Sequence, residues 1–312
     1  MLSRRLLRIK ALKALYAHVQ CEGDNLIAAQ KKLLGSIDRS YDLYFLIMRL
    51  PVEIAEYART MQQIASEKHL ATREDLNPNK KFVNSQFIHL FENSDTVNDY
   101  LHSRKLSWKG EPEFIKLMYT KLTESERYKR YMLSPESSMK EDLALMDHLF
   151  VTMLQEIEEV EPTIEHISLD MVGDLCHILP LVMRTMSSIR PNHTDVKVVK
   201  KFKCEEDLAF VRGLFERSLI NLTKYQTYIE KFTSNWDVER IVFMDNLIMV
   251  VAMAELINFP DIPTKVTMDE YIEISKYYST PSSSVFVNGI LDKMTNSLTE
   301  EGEIKKVGRG LM

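Results

Sequence analysis

The sequence contains few glycines, few cysteines and no long hydrophobic run. Nine glycines among 312 residues argue against phosphate-binding glycine loops and tight hairpins, and they favour helices, in whose interior glycine is destabilising. The longest apolar run, Leu247 to Ala254, falls well short of the roughly 20 residues that cross a bilayer. The N-terminus lacks the hydrophobic stretch of a secretory signal, and Cys21, Cys176 and Cys204 have no paired spacing. We therefore expect a cytoplasmic protein with reduced thiols and no membrane segment.

The motifs of common catalytic and cofactor sites are also missing. The sequence has no P-loop, no GxGxxG, no GxSxG and no HExxH pattern, and its eight histidines form no cluster with cysteine. Because acids and bases from distant segments can converge in a folded protein, missing motifs do not exclude an enzyme. No pattern requires one, however, and we predict a non-enzymatic protein without a metal or cofactor.

Positive charge is concentrated at the N-terminus of a chain whose net charge is −5. No acidic residue occurs before Glu22. Five basic residues precede it: Arg4, Arg5, Arg8, Lys10 and Lys13. Successive residues of a helix turn by about 100°, so Arg4 and Arg8 lie on one face with Arg5 beside them. Guanidinium groups can grip two phosphate oxygens at once, so this cluster suits an anionic ligand. A solvated basic helix start is an equally open interpretation.

Helical spacing of apolar residues dominates the sequence and predicts an all-α protein. Ser3 is a candidate N-cap for a helix over residues 3–20. We predict an interruption at residues 35–38, and a helix over residues 41–63 that is broken or kinked at Pro51.

The last third of the chain has the clearest helix signals. Thr267 and Glu270 have the spacing of a capping box, which starts a helix after the prolines at 260 and 263. The final helix has an apolar stripe that should face the core. Its residues are Val287, Ile290, Leu291, Met294 and Leu298.

Two segments resemble the NusB family of transcription antitermination factors. Between Trp236 and Met294 the resemblance runs through ERI…AELINFPDIPTKV, DEYIEISKYYS and FVNGILDKM, in the family's order and spacing. At the N-terminus SRRLLRIKALKALYAH resembles the family's arginine-rich helix start and its ALY element. The resemblance implies a NusB-like helical bundle formed by residues 1–38 and 205–312, with residues 39–204 as a helical insertion of unknown role.

The resemblance also implies an RNA-binding site. In the family, an arginine-rich region and the loop between the last two helices bind boxA-type single-stranded RNA. Carried over by position, the RNA-binding residues are Arg4, Arg5, Arg8, Tyr16, Tyr278, Ser282 and Phe286. Bases can stack on the aromatic rings beside the loop while arginines hold phosphates. Leu6 stands where relatives often carry another basic residue, for which Lys10 can compensate. A core position is an equally open interpretation for Tyr16, and a partly buried position at the edge of the core is the alternative for Tyr278 and Phe286.

The resemblance implies the ribosomal protein NusE as a second partner, within a transcription elongation complex. The family's NusE-facing surface includes a helix that starts near Val238, and Asp245 takes the position of an important acidic residue there. The alternative for Asp245 is a solvated polar break in an otherwise apolar helix.

We therefore expect a non-enzymatic antitermination factor that binds boxA RNA of ribosomal RNA transcripts together with NusE. One alternative is a protein-interaction module in which RNA binding is degenerate. Another is an accessory domain related to those of ribosomal RNA cytosine methyltransferases, which would need a cofactor-binding Rossmann-like domain beside it.

Overall fold

The computed structural model describes residues 1–21, 25–233 and 242–311, and every regular element in these ranges is a helix. The all-α fold that the sequence predicts is therefore confirmed. Within the same ranges, none of the helices combines the length and the hydrophobicity needed to span a membrane.

The chain divides into two compact units. The middle unit comprises Met1–Leu2 and Asp38–Lys201, and the terminal unit comprises Ser3–Ile37 and Phe202–Met312. Helix α2 (Leu26–Ser66) contributes residues to both units.

Most helices of the middle unit are short. They are α3 (Arg73–Leu76), α4 (Gln86–Glu92), α5 (Asp95–Arg104), α6 (Pro112–Glu124), α7 (Glu126–Leu133), α8 (Met139–Asp147), α9 (Leu154–Glu156), α10 (Val160–Ile167) and α11 (Leu175–Ser188). A π-helical turn, His148–Met153, joins α8 to α9, and a 3-10 turn, Leu169–Met171, follows α10. Serine or threonine side chains cap the first turns of α3, α4, α5, α7 and α8. These caps satisfy backbone N–H groups that a helix start leaves free.

The core of the middle unit forms around the second half of α2. Trp108 is almost fully buried, donates its indole N–H to the Leu46 carbonyl oxygen at 2.8 Å and stacks on Phe114. The hydroxyl of Tyr44 accepts the backbone N–H of Val199 at 3.0 Å. Large aromatic side chains with satisfied polar atoms thus connect distant segments to α2.

The terminal unit is built around one buried helix. Besides α1 (Arg4–Gln20), its helices are α12 (Glu205–Ile220), α13 (Leu222–Thr233), α14 (Phe243–Asn258), α15 (Thr264–Tyr278) and α16 (Ser283–Glu300). Residues 247–254 of α14 are all buried, and α14 contacts the other five helices. A helix that is apolar on every side is stable only when neighbours surround it. The predicted apolar stripe of α16 is buried, which confirms that prediction.

Helix α2 differs from two predictions made from the sequence. It is helical through residues 35–38 and through Pro51, so the predicted interruption is wrong and the helix is not broken at Pro51; a kink there stays a prediction. Gly35 has open space where a Cβ would lie, and glycine there weakens the helix without ending it. Pro51 lies between Leu50 and Val52, which are fully buried. Their burial offsets the backbone hydrogen bond that proline cannot make.

The Gly35→Ala variant should raise the free energy of unfolding by about 0.5–1 kcal/mol, because alanine reduces the freedom of the unfolded chain and meets no neighbour in α2. The matched control is Gly302→Ala, where φ is +72°. Alanine is strained in that left-handed conformation and should destabilise the protein. Urea unfolding followed by circular dichroism measures both. A destabilised Gly35→Ala variant would contradict a continuous helix at this position.

Candidate RNA-binding surface

The start of α1 sets the directions of the arginine side chains. Ser3 Oγ accepts the backbone N–H of Leu6 at 3.1 Å, so the helix begins at Arg4, as the sequence predicts. Leu6 and Leu7 are fully buried and fix the rotation of α1 on the core of the terminal unit. The arginines at positions 4, 5 and 8 therefore leave the helix from its first two turns in fixed directions.

Arg8 forms a buried ion pair with Glu255 of α14. Its Nε donates to Glu255 Oε2 at 2.8 Å and its Nη2 donates to Oε1 at 2.7 Å. The Arg8 side chain is 4% exposed and that of Glu255 is 0% exposed. The hydroxyls of Thr267 and Tyr271 on α15 also donate to the two carboxylate oxygens, each at 2.9 Å. Glu255 thus links three helices through four hydrogen bonds.

Burial and pairing oppose each other in this cluster. Burial alone lowers the pKa of Arg8, but the hydrogen bonds and the negative charge of Glu255 outweigh it and hold that pKa above its usual range. Desolvation, followed by the charge of Glu255, raises the pKa of Tyr271 well above its ordinary value. Arg8 therefore stays a cation and Tyr271 stays a neutral donor, which is the state that the buried carboxylate needs.

The predicted capping box at Thr267 and Glu270 is wrong. Helix α15 begins three residues earlier, at Thr264, and its N-cap Pro263 offers no side-chain acceptor. Thr267 donates to Glu255 instead, and Glu270 pairs with Arg5. Both side chains therefore bind residues of other helices and do not form the local capping hydrogen bonds that their spacing suggests.

Arg4 and Arg5 reach the surface, and each already contacts a carboxylate. Arg4 Nε donates to Asp207 Oδ1 at 3.2 Å, and Arg5 donates to Glu270 through Nε at 2.8 Å and Nη2 at 3.1 Å. The two arginine side chains are 42% and 41% exposed. The guanidinium of Arg4 lies 5.1 Å from the ring centre of Phe210. The arginine ends of these pairs are in solvent, whereas the Asp207 side chain is 8% exposed and that of Glu270 is 21% exposed.

Fewer cations are exposed at the start of α1 than the sequence suggests. Arg8 shares a helix face with Arg4, as predicted, but α14 and α15 cover its end of that face. Lys10, which the sequence offered as compensation for Leu6, is 1% exposed. The burial of Arg8 argues against a direct contact with RNA, because a phosphate cannot reach a guanidinium group that the core encloses.

Helix α1 and helix α15 run in the same direction along one edge of the terminal unit. Near its start, α1 contacts α15 through Arg5 and Glu270. Further along, Lys13 Nζ lies 5.3 Å from the ring centre of Tyr278, the last residue of α15. The two contacts are separated by eight residues on both helices, which is about 12 Å. These contacts define a strip that carries Arg5, Lys13 and the ring of Tyr278 and leads towards the loop between α15 and α16. Arg4, whose partner Asp207 is on α12, lies beside Arg5 at the start of the strip.

Asp245 of α14 forms a buried hydrogen bond with Ser283, at the end of the loop between α15 and α16. It is 3% exposed, and Ser283 Oγ donates to its Oδ2 at 2.7 Å. Ser283 Oγ also accepts the backbone N–H of Thr280 at 3.2 Å, so one buried hydroxyl connects the loop to α14. Ser282 remains exposed, and its hydroxyl lies 3.3 Å from that of Thr280. Because Asp245 is buried, it is not the solvated polar break that the sequence left open as the alternative.

The aromatic residues around the strip differ in exposure. Tyr278 and Phe286 are half-buried. Tyr277, which the sequence analysis missed, is 80% exposed. At 100° per residue, Tyr271, Ile274 and Tyr278 lie within about 60° of one another on α15. Tyr277 lies about 100° from Tyr278 and outside that stripe, and this signal could have identified it. Tyr16 is half-exposed and stands apart from this group.

Tyr16 packs on Phe243, the first residue of α14, with ring centres 5.7 Å apart. Both rings are more than a third exposed. The start near Val238 that the sequence suggests for the partner-binding helix lies outside the described residues, which resume at residue 242. The described part of this surface therefore contains Tyr16 and Phe243 as an exposed aromatic pair.

Comparison with known proteins identifies similar sequences. A family model described as "NusB family" matches residues 188–296. The transcription antitermination protein NusB of Salinibacter ruber is 41% identical over 103 residues, which are 33% of this chain and 64% of that protein. That of Chloroherpeton thalassium is 34% identical over 142 residues, covering 43% of this chain and 67% of that protein.

A third relative gives the same coverage. The NusB protein of Natranaerobius thermophilus is 38% identical over 91 residues, 29% of this chain and 66% of that protein. The chain thus spans about two thirds of the length of the curated relatives it matches. No solved structure matches it significantly.

Breaking the buried pair should be costly. Glu255→Gln leaves the Arg8 charge in the core with Glu270, 3.7 Å away, as its remaining counter-ion, and should lower the free energy of unfolding by about 3–5 kcal/mol. Arg8→Met should cost a similar amount, while the double variant should cost clearly less than the sum. The surface control, Glu126→Gln, breaks the exposed pair with Lys129 and should cost at most about 1 kcal/mol. Denaturant titrations of the four variants decide this, and additive effects at positions 8 and 255 would contradict the coupling.

Proposed function

Because the chain belongs to the NusB family, we propose that it acts as a non-enzymatic transcription antitermination factor. Its RNA ligand is a boxA-type single strand in ribosomal RNA transcripts, and its protein partner there is the ribosomal protein NusE. It acts within the transcription elongation complex.

The strip along α1 and α15 is the observation that supports RNA binding best. Arg4 and Arg5 are exposed at one end, and Lys13 lies against the ring of Tyr278 about 12 Å further on. Single-stranded RNA needs cations for its backbone and exposed aromatic faces for its bases, and this strip offers both within one edge of the terminal unit.

Each residue of the strip has a distinct proposed role. Arg4 and Arg5 exchange their carboxylate partners for RNA phosphates, because both guanidinium groups are about two fifths exposed and a phosphate can reach them. Tyr278 and Phe286 stack on bases, and the hydroxyl of Ser282 donates to the strand as it passes the loop. Arg8 acts indirectly, because its pair with Glu255 holds α1 beside α15.

The exposed aromatic residues extend this surface at two places. Tyr277 offers a further stacking face because most of its ring is in solvent. Tyr16 and Phe243 form a second aromatic patch, and Tyr16 contacts RNA only if the strand continues along α1.

Asp245 supports NusE binding through the loop. Its carboxylate is buried and holds Ser283, so its effect reaches a partner through the conformation of residues 279–283. Within the described part of the chain, Asp245 Oδ1 has no hydrogen-bond partner, which leaves one acceptor for a group that approaches from the start of α14.

A protein-interaction module with degenerate RNA binding is the second candidate. One observation favours it: both exposed arginines are already paired with carboxylates, and Arg8 is buried. The electrostatic attraction for RNA would then be too weak for specific binding. The salt dependence of binding distinguishes the two candidates.

Replacing Arg4 and Arg5 by alanine should weaken binding to a boxA RNA oligonucleotide. The slope of log K against log salt concentration should fall in magnitude by about 0.7 for each arginine that contacts a phosphate. Glu270→Gln should have the opposite effect on affinity, because it frees Arg5 without moving it. Fluorescence anisotropy at several salt concentrations measures both effects.

The matched control for these variants is Arg127→Ala with Arg130→Ala. Both arginines are exposed in the middle unit, so the double variant loses the same charge at another place. It should leave affinity and slope almost unchanged. An equal loss in both double variants would mean that only net charge matters, and an unchanged slope for the Arg4 and Arg5 variant would refute the RNA site.

Asp245→Asn and Ser283→Ala should both weaken NusE binding, because the first replaces a charged acceptor by a neutral amide and the second removes the donor of the same buried hydrogen bond. We expect both to weaken the complex by several-fold while leaving thermal unfolding within a few degrees of the parent. Isothermal titration with purified NusE measures the affinity. Should Asp245→Asn abolish binding while Ser283→Ala preserves it, the aspartate contacts the partner directly.

A further inference from the structure

The middle unit contains a segment of one charge sign. Residues 141–183 include ten aspartates and glutamates and no lysine or arginine. This segment is more negative than the whole chain, whose net charge is −5, so the remainder is net positive. A polyanion such as RNA is repelled by this part of the molecule, and a cationic ligand is attracted to it.

An open apolar groove lies within the acidic segment. Its volume is about 530 Å³, and it lies between the π-helical turn with α9 and α10 on one side and α11 on the other. Leu154 and Leu179 form its floor and are almost fully buried. Val151, on the π-helical turn, is 43% exposed at its edge. An exposed aliphatic side chain beside a concave apolar surface is typical of a binding groove.

Two carboxylates border this groove. Glu158 and Glu161 line it, and both are exposed. Glu161 accepts the backbone N–H of Gly173 at 3.2 Å, which fixes one carboxylate at the edge. Within the ranges that the structure describes, neither glutamate forms an ion pair. The groove therefore combines an apolar floor with a negative rim that no lysine or arginine of its own segment can neutralise.

We propose that this groove binds an amphipathic helix of a partner protein whose apolar face enters the groove and whose lysines or arginines contact Glu158 and Glu161. Charge complementarity selects this occupant, because the apolar floor accepts aliphatic side chains and the rim requires cations beside them. Helices commonly bind in grooves with side chains at i, i+3, i+4 and i+7 as anchors. This surface lies outside the terminal unit and is additional to the RNA strip.

Cys176 reports on occupancy of the groove. It lines the groove and its side chain is accessible. Desolvation by the groove walls raises the pKa of its thiol, and the charges of Glu161 and Asp174 add to that increase. Alkylation of Cys176 is therefore slow but measurable, and a bound helix should slow it further. Cys21 and Cys204 are the other two thiols, and changing both to serine leaves Cys176 as the single reactive site.

The test uses the full chain with those two serines and an 18-residue lysine/leucine peptide whose leucines follow helical spacing. Comparison peptides are a shuffled sequence of the same composition and a glutamate/leucine peptide. Binding is measured by calorimetry, and iodoacetamide alkylation is measured with and without peptide. We expect one lysine/leucine peptide to bind per chain and to slow alkylation at least about fivefold, and neither comparison peptide to do so.

Matched variants locate the binding site. Glu158→Gln with Glu161→Gln should weaken binding at least about fivefold and remove most of the protection. Glu74→Gln with Glu136→Gln removes the same charge from exposed positions outside the groove and should preserve both. Because Glu161→Gln also lowers the pKa of Cys176, protection is expressed as the ratio of rates with and without peptide for each variant.

Several results would overturn the proposal. Equal binding of the shuffled peptide, or equal losses in the two double variants, would show only general attraction to an acidic surface. Protection of Cys176 that rises with protein concentration and accompanies dimer formation in sedimentation would identify a second copy of the chain as the occupant. Protection by boxA RNA alone would assign the groove to RNA.

Discussion

The buried pair of Arg8 and Glu255 is the interaction on which the terminal unit depends. It joins the first helix of the chain to α14 across 247 residues of sequence, and the hydroxyls of Thr267 and Tyr271 bring α15 into the same cluster. A charge left unpaired in this interior costs several kcal/mol, so the three helices are held in one arrangement. The cluster fixes how α1, α14 and α15 pack against one another, in a core whose remaining contacts are mostly aliphatic.

The proposed RNA-binding strip depends on that arrangement. With α1 fixed beside α15, Arg5 faces Glu270 and Lys13 faces Tyr278, so cations and an aromatic ring lie along one edge. Arg8 fixes the positions of the helices. Arg4 and Arg5 remain available to a ligand because ion pairs of exposed arginines are weak in water.

Local features could be predicted from the sequence, and partnerships between distant residues could not. The Ser3 cap and the apolar stripe of α16 depend on neighbours within a few residues, and both predictions are confirmed. Helical spacing placed Arg8 on the face of Arg4, but it gave no sign that α14 covers that face. The spacing of Thr267 and Glu270 predicted a local cap, whereas two other helices hold these side chains. The same limitation applies to Gly35, whose helix persists because tertiary packing outweighs its low propensity.

Photo-crosslinking of a boxA RNA tests the central claim most directly, because it reports which residues touch the strand. RNA carrying 4-thiouridine at successive positions is bound to the full chain, irradiated and mapped by mass spectrometry. The account predicts crosslinks at Tyr277, Tyr278 and Phe286, with none at Arg8 or Lys10. Crosslinks confined to residues 38–201 would contradict it, because RNA would then bind away from the edge that the buried ion pair organises.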